Sequence, residues 1–166
     1  MVRNRFVQYQ EIVYDIIGAA MEVHSTLGAG LLEAVYAESM HLELLDNGID
    51  NNLEVEVPCY YKHHKLEKSY QADLMVGEVV VELKSVEELN SAHRAQLFNY
   101  LRLTQKNIGL LINFGGDSLE GERYIFDARL NDCCLVDRNM EPIPQNIGDF
   151  TFEYEDPYED VIDLKK

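Results

Sequence analysis

The stretch from Tyr70 to Ser85, YQADLMVGEVVVELKS, constrains the fold of this chain more than any other. Successive side chains of a strand point to opposite sides of a sheet. A strand over Val79–Val86 therefore puts Val80, Glu82, Lys84 and Val86 on one face and the wholly apolar Val79, Val81 and Leu83 on the other. Tyr70 to Val76 is a second strand-like run, and Gly77-Glu78 between the two is a Gly-first pair suited to a two-residue type II′ hairpin turn. Counting outward from that turn pairs Val76 with Val79, Met75 with Val80, Leu74 with Val81 and Asp73 with Glu82, and sets Gln71 opposite Lys84. Two carboxylates then face each other at about 4.5–5.5 Å between Cβ atoms, where like charges repel unless a cation lies between them. The hairpin reads as a seat for a metal ion with an amine beside it.

With 166 residues, 27% charged and 46% hydrophobic, the chain can bury one proper core. No apolar run is long enough to span a bilayer, and the N-terminal MVRNRFVQYQEIVYD lacks the apolar centre of a secretory signal. The expectation is a cytoplasmic protein with no membrane partner. Three cysteines, Cys59, Cys133 and Cys134, fit neither a disulfide framework nor a four-thiolate metal site. The formal charge of -16 excludes an overall electrostatic footprint for a polyanion. Any phosphate contact must use local basic residues: Lys62, Lys65 and Lys68 around a hairpin tip, or Arg94, Arg102 and Lys106 on a later segment.

Around the hairpin, Phe6 to Leu27 carries Ile12, Ile16, Ala19, Ala20, Val23 and Leu27 at helical spacing. Gly28 and Gly30 bracket a turn, and a second helix is expected over Leu31–Asp46, with Leu32, Val35, Tyr36, Ser39, Leu42 and Leu45 as its stripe. Leu53 to Tyr61 alternates as a strand, and Pro58 argues that it lies at an edge. KHHK, Lys62 to Lys65, reverses the chain into Leu66–Val76, giving a three-strand meander. Asn90 or Ser91 caps a helix over Ala92–Gln105 with a stripe of Ala95, Leu97, Phe98 and Leu101. Ile108 to Phe114 reads as a strand covered on both faces, parallel to the Glu82 strand. A further strand is expected over Glu122–Phe126; beyond Ala128 the pattern weakens. The division drawn is residues 1–127 as one domain and 128–166 as an acidic C-terminal extension, with its acids concentrated in Asp149 to Asp163 and with Pro142, Pro144 and Pro157.

The order helix, three strands, helix, strand, with Asp73 and then Glu82-Leu83-Lys84, resembles the PD-(D/E)xK signature of the restriction-endonuclease-like nuclease superfamily. Gly30-Leu31-Leu32-Glu33-Ala34-Val35-Tyr36 is similar to the motif that names the GxxExxY family, a branch of that superfamily. Glu22-Val23-His24, Leu27-Gly28, His93-Arg94-Ala95-Gln96-Leu97 and Leu110-Leu111-Ile112-Asn113-Phe114-Gly115 resemble the same family, so the likeness runs from about Ile12 to Gly115. One departure is Ala72, which stands where the signature has proline. The fold implied is an α/β restriction-endonuclease-like core, α-β-β-β-α-β, with a mixed central sheet flanked by helices.

The resemblance implies a metal-dependent nuclease that cuts DNA in preference to RNA, with Asp73, Glu82, the Leu83 carbonyl and Glu33 as metal ligands. Oxygen donors without Cys or His select Mg²⁺ or Mn²⁺ over zinc. Lys84 would position the attacking water, and Gln96 would support the site. Gln96 and Tyr100 lie four apart on one helix face, with His93 on the same stripe. This resembles the QxxxY element of RecB-type nucleases, in which the tyrosine approaches the substrate backbone; Tyr100, His93 and Arg94 are the substrate-binding candidates. Each residue also has a plainer reading: Lys84 as a lysine paired with Glu82, Glu33 as an acid near a helix N-terminus, His24 as a packed histidine, Tyr100 as a core ring. A non-catalytic interaction or regulatory module on the same scaffold is the alternative, and a protein partner or a homo-oligomer would supply the positive charge that the chain lacks.

Overall fold

The computed structural model describes residues 5–143. The proline and aromatic residues Pro144, Phe150, Phe152, Tyr154 and Pro157, and the acids of Asp149 to Asp163, lie outside the described residues. A short 3-10 turn at Val7–Tyr9 leads into α1 (Gln10–Leu27), followed by α2 (Glu33–Asp46), β1 (Asn52–Tyr61), β2 (His64–Val76), β3 (Val79–Lys84), α3 (Ser91–Thr104), β4 (Ile108–Asn113), β5 (Glu120–Asp127) and β6 (Asp132–Val136). The strands form one six-stranded sheet in the order β1-β2-β3-β4-β5-β6, antiparallel throughout except for the parallel pair β3 and β4 that α3 connects. The expected α-β-β-β-α-β order is present, and Pro58 does sit on an edge strand.

The alternation of β3 divides the core. Val79, Val81 and Leu83 face α1 and α2 and pack with Leu74, Val76, Leu110, Ile112 and Phe114. Val80 faces α3 and packs with Met75, Leu97, Tyr100, Leu101 and Leu111. All six residues of β4 are buried, as a strand covered on both faces must be. At Gly109 an added Cβ would stand 2.7 Å from Leu101 Cδ1 and 3.1 Å from Leu97 Cδ1, so α3 rests directly on the β4 backbone.

Several expectations are corrected. In α2 the buried residues are Tyr36, Ala37, Met40 and Leu44, whereas Leu32 is 75% exposed and Val35, Leu42 and Leu45 are exposed as well. Tyr36 sets this rotation: its ring stacks on Phe114 at 4.4 Å, and its hydroxyl donates to Gly28 O and accepts from Leu31 N. In α3, Leu97 and Leu101 are buried and Phe98 packs against them as expected, whereas Ala95 is exposed and Tyr100 completes the buried face. The sheet continues past residue 128. In β6, Leu135 and Val136 are buried, with Met140 just beyond; their short apolar run is hidden between Cys133-Cys134 and a charged turn. The three cysteines are free. Among the described residues no helix is long and apolar enough to cross a membrane.

Candidate active site

The hairpin forms around Gly77, whose φ of +57° suits the first turn position, and the first three backbone pairs are those expected: Val76 with Val79, Met75 with Val80, Leu74 with Val81. The ladder then stops. Asp73 and Glu82 are not backbone partners, nor are Gln71 and Lys84. On the other side of β2, the β1 pairing passes from Leu53–Leu74 to Val55–Ala72 and omits Glu54 and Asp73; Glu54 has a φ of +54°. Asp73 therefore sits at a break in both ladders. Its Oδ2 accepts a hydrogen bond of 2.8 Å from Leu83 N, taking the place of a strand partner and drawing the carboxylate toward the end of β3.

Glu82 is 2% exposed, and its Oε2 is buried with no hydrogen-bond partner among the described residues. Burial pushes its pKa up to about 10; Asp73 adds to the rise through hydrogen bonding and like charge, Lys84 opposes it, and Glu33 adds a little more. The two acids thus share one site despite the missing backbone pair. Lys84 Nζ donates to Gln96 Oε1 at 2.9 Å and lies 4.0 Å from Glu33 Oε2, so the amine is held from α3 on one side and from the start of α2 on the other. Glu33 is the first residue of α2, delivered there by the Gly28–Leu32 turn that Tyr36 ties down.

On α3, Gln96 Nε2 donates to Tyr100 Oη at 2.8 Å, and Tyr100 Oη donates to Gln71 O at 3.2 Å. The Tyr100 hydroxyl is pushed up to about 12, first by burial and then by the Glu82 and Asp73 charges, with the Gln96 hydrogen bond opposing. A chain of contacts thus runs from Lys84 through Gln96 and Tyr100 to the strand that carries Asp73. His93 occupies the first turn of α3: Asn90 Oδ1 accepts from Ala92 N and His93 N, and His93 Nδ1 accepts from Asn90 N, a reciprocal cap. Desolvation and the Lys84 charge hold its pKa below the ordinary histidine value. Arg94 makes a bidentate pair with Glu122 of β5, Nη2 to Oε1 at 2.7 Å and Nε to both oxygens at 3.0 Å. The pairing of Glu122 with Arg94 leaves no signal in the sequence, because nothing local marks a strand acid as the partner of an arginine 28 residues away. His24 is buried with Nε2 2.9 Å from Gly116 O, the packed-histidine arrangement.

Among the described residues, no group of three or more His, Cys, Asp or Glu side chains converges as a ready-made ion cage. The arrangement is a buried glutamate beside a half-buried aspartate at a strand break, a lysine two residues beyond the glutamate, and a glutamine–tyrosine helix behind it. A mixed sheet between helices that carries this set is the architecture of a nuclease-like α/β domain. The family model described as PD-(D/E)XK nuclease superfamily matches residues 10–124, and the chain belongs to that superfamily. A search of the curated proteins and of the solved structures found no match.

Proposed function

We propose that this protein is a divalent-metal-dependent nuclease that hydrolyses phosphodiester bonds, in DNA rather than RNA, and that it belongs to the GxxExxY branch of its superfamily and works in the cytoplasm. The observation that carries this reading is the buried Glu82 carboxylate beside Asp73, its Oε2 without a hydrogen-bond partner among the described residues, with Lys84 braced next to them. A buried carboxylate with an unpaired oxygen beside a second acid is costly to keep charged, and a hard cation is the group whose binding offsets that cost. The donor set fits Mg²⁺ or Mn²⁺: Asp73 and Glu82 carboxylates, the Leu83 carbonyl, and Glu33 directly or through water. Such an ion, when bound, supplies charge neutralisation at the phosphoryl oxygens and a nucleophile near neutral pH.

The residues of the chain do the rest. Lys84, fixed between Gln96 and Glu33, orients the attacking water and places a positive charge against the charge that develops on the phosphate. Gln96 holds that amine in place, and Tyr100 fixes Gln96 while anchoring the strand of Asp73. His93 borders the substrate path, whereas Tyr100, 2% exposed with its hydroxyl engaged by Gln96 and Gln71, serves as a core ring in place of the expected substrate contact. Arg94, with its guanidinium engaged by Glu122, holds α3 against the sheet in place of a direct phosphate contact. Cleavage of fluorescent single- and double-stranded DNA and RNA with Mg²⁺ or Mn²⁺ tests the reading. Wild type should cleave and Glu82→Ala should not; equal background from both would end the catalytic proposal.

A second reading, a non-catalytic interaction or regulatory subunit, draws on the charge of -16 and the exposed Leu32, Val35, Leu42 and Leu45 of α2, a face suited to a protein partner or a second copy. Micromolar Mn²⁺ binding that disappears in Asp73→Asn counts against it.

A further inference from the structure

The hairpin of β1 and β2 extends well beyond the core. Every residue from Tyr60 to Gln71 is exposed, whereas the base of the hairpin is pinned by buried Val57 and Ala72. A two-stranded ribbon is marginal in water on its own, so an arm of this length is expensive unless it contacts something. Its composition is the reverse of the chain's. Lys62, Lys65 and Lys68 stand against a single acid, Glu67, in a protein of net charge -16. The basic residues elsewhere on the described surface are largely engaged: Lys84 with Glu33, Arg94 with Glu122, Lys106 with Glu78, and Arg5 and Arg129 with Asp127. None of the three arm lysines has an ion-pair partner among the described residues; Lys62 lies 5.5 Å from the centre of the Tyr61 ring. Aromatic groups alternate with them: Tyr60 is paired with Lys65, Tyr61 with His64, and the His63 and His64 rings lie 4.2 Å apart.

The arm is also continuous with the site. Tyr70 packs edge-on against Tyr100 at 5.9 Å, Gln71 O accepts from the Tyr100 hydroxyl, and two residues later the same strand delivers Asp73. We infer that the arm is the nucleic-acid contact of this protein, a basic and aromatic ribbon along which the sugar–phosphate backbone of a strand lies as it leaves the acid pair. This rests on the nuclease reading and names the surface that holds its substrate. From Lys65 to Asp73 the strand rises about 26 Å at roughly 3.3 Å per residue. At about 3.4 Å per base pair that spans roughly eight base pairs of duplex, so Lys65 should act about eight nucleotides from the cut phosphate and Lys68 about five. Local positive charge on an acidic protein also explains how a polyanion can be drawn to this end of the molecule and repelled elsewhere.

The test compares wild type with a Lys62→Ala/Lys65→Ala/Lys68→Ala variant, whose exposed substitutions leave the core untouched. Binding of fluorescein-labelled DNA, single-stranded and duplex, is followed by anisotropy in EDTA over a range of KCl. The variant should bind about tenfold or more weakly at low salt, with the slope of log K against log salt shallower by about two on single strands and about three on duplex. Its thermal midpoint and Mn²⁺ affinity should match wild type, and its deficit should vanish on DNA too short to reach the arm. Wild type that binds and cleaves while the variant superposes on it overturns the arm alone. Wild type that neither binds nor cleaves overturns the nuclease reading and the arm with it. Loss of binding in the variant supports the arm whatever the cleavage assay returns.

Discussion

Glu82→Gln should change the pH dependence of stability of the metal-free protein in a way that no surface carboxylate can imitate. Glu82 is buried beside Asp73, and its folded pKa lies near 10 against an ordinary 4.5. The folded state therefore holds a proton that the unfolded chain gives up throughout this window. Stability from Glu82 is fully present below the unfolded value and is lost as pH rises toward the folded one, with a slope of about 1.4 kcal/mol per pH unit. Between about pH 5.5 and about pH 8.5 that is roughly 4 kcal/mol, a large part of a typical domain's total. Gln fills the same space, carries no titrating proton and removes the slope, so the variant should become the more stable protein at the alkaline end. Urea denaturation of both proteins at three pH values in EDTA reads the difference. Mn²⁺ should reverse the trend in wild type, because an ion needs the carboxylate that protonation removes. Parallel curves for wild type and Glu82→Gln in EDTA would refute the buried acid pair.

Lys84→Ala should lower cleavage by about 100-fold or more, while urea midpoints move less than in Arg94→Ala, because the lost contacts are one hydrogen bond to Gln96 and a 4.0 Å approach to the partly exposed Glu33; retention of most of the wild-type rate would remove Lys84 from the mechanism. Arg94→Ala leaves Glu122 buried without its bidentate partner and should cost about 3–5 kcal/mol in urea denaturation. An effect below about 0.5 kcal/mol would show that α3 does not depend on this strut. Gly115→Ala places a Cβ into the backbone of Val86, which cannot yield as a side-chain tip can, and should destabilise by about 2 kcal/mol or more, read as a fall in thermal midpoint.

Most of the sheet was legible because its signals are local. A Gly-first turn, an alternating β3 and a continuous apolar β4 decide three strands and their order without knowledge of the rest. The helix faces were less so. Hydrophobic spacing on α2 offers two overlapping stripes, and the one that is buried is chosen by Tyr36, whose stack on Phe114 and hydroxyl bonds to Gly28 and Leu31 involve groups outside the helix. β6 was missed because a short strand with only Leu135 and Val136 buried has too little periodicity to stand out. The acid residues themselves were found from turn counting, yet the register that found them holds for only three pairs.

That last discrepancy has a physical sense. Had Asp73 and Glu82 been regular ladder partners, both backbones would have been satisfied by each other and the carboxylates would have projected side by side from a flat sheet. Instead the strands part after Leu74 and Val81, and the Asp73 side chain itself satisfies the Leu83 N–H. One carboxylate oxygen is thereby fixed by a backbone donor near the end of β3, close to where Glu82 and Lys84 emerge. The hydrogen bond that a regular strand would have made through its main chain is made here by the functional group, so geometry at the site and integrity of the sheet depend on the same atom. A substitution such as Asp73→Ala would therefore disturb the fold as well as the site, whereas Asp73→Asn keeps an acceptor for Leu83 N and removes only the charge. The two variants separate the structural role of this residue from its electrostatic one.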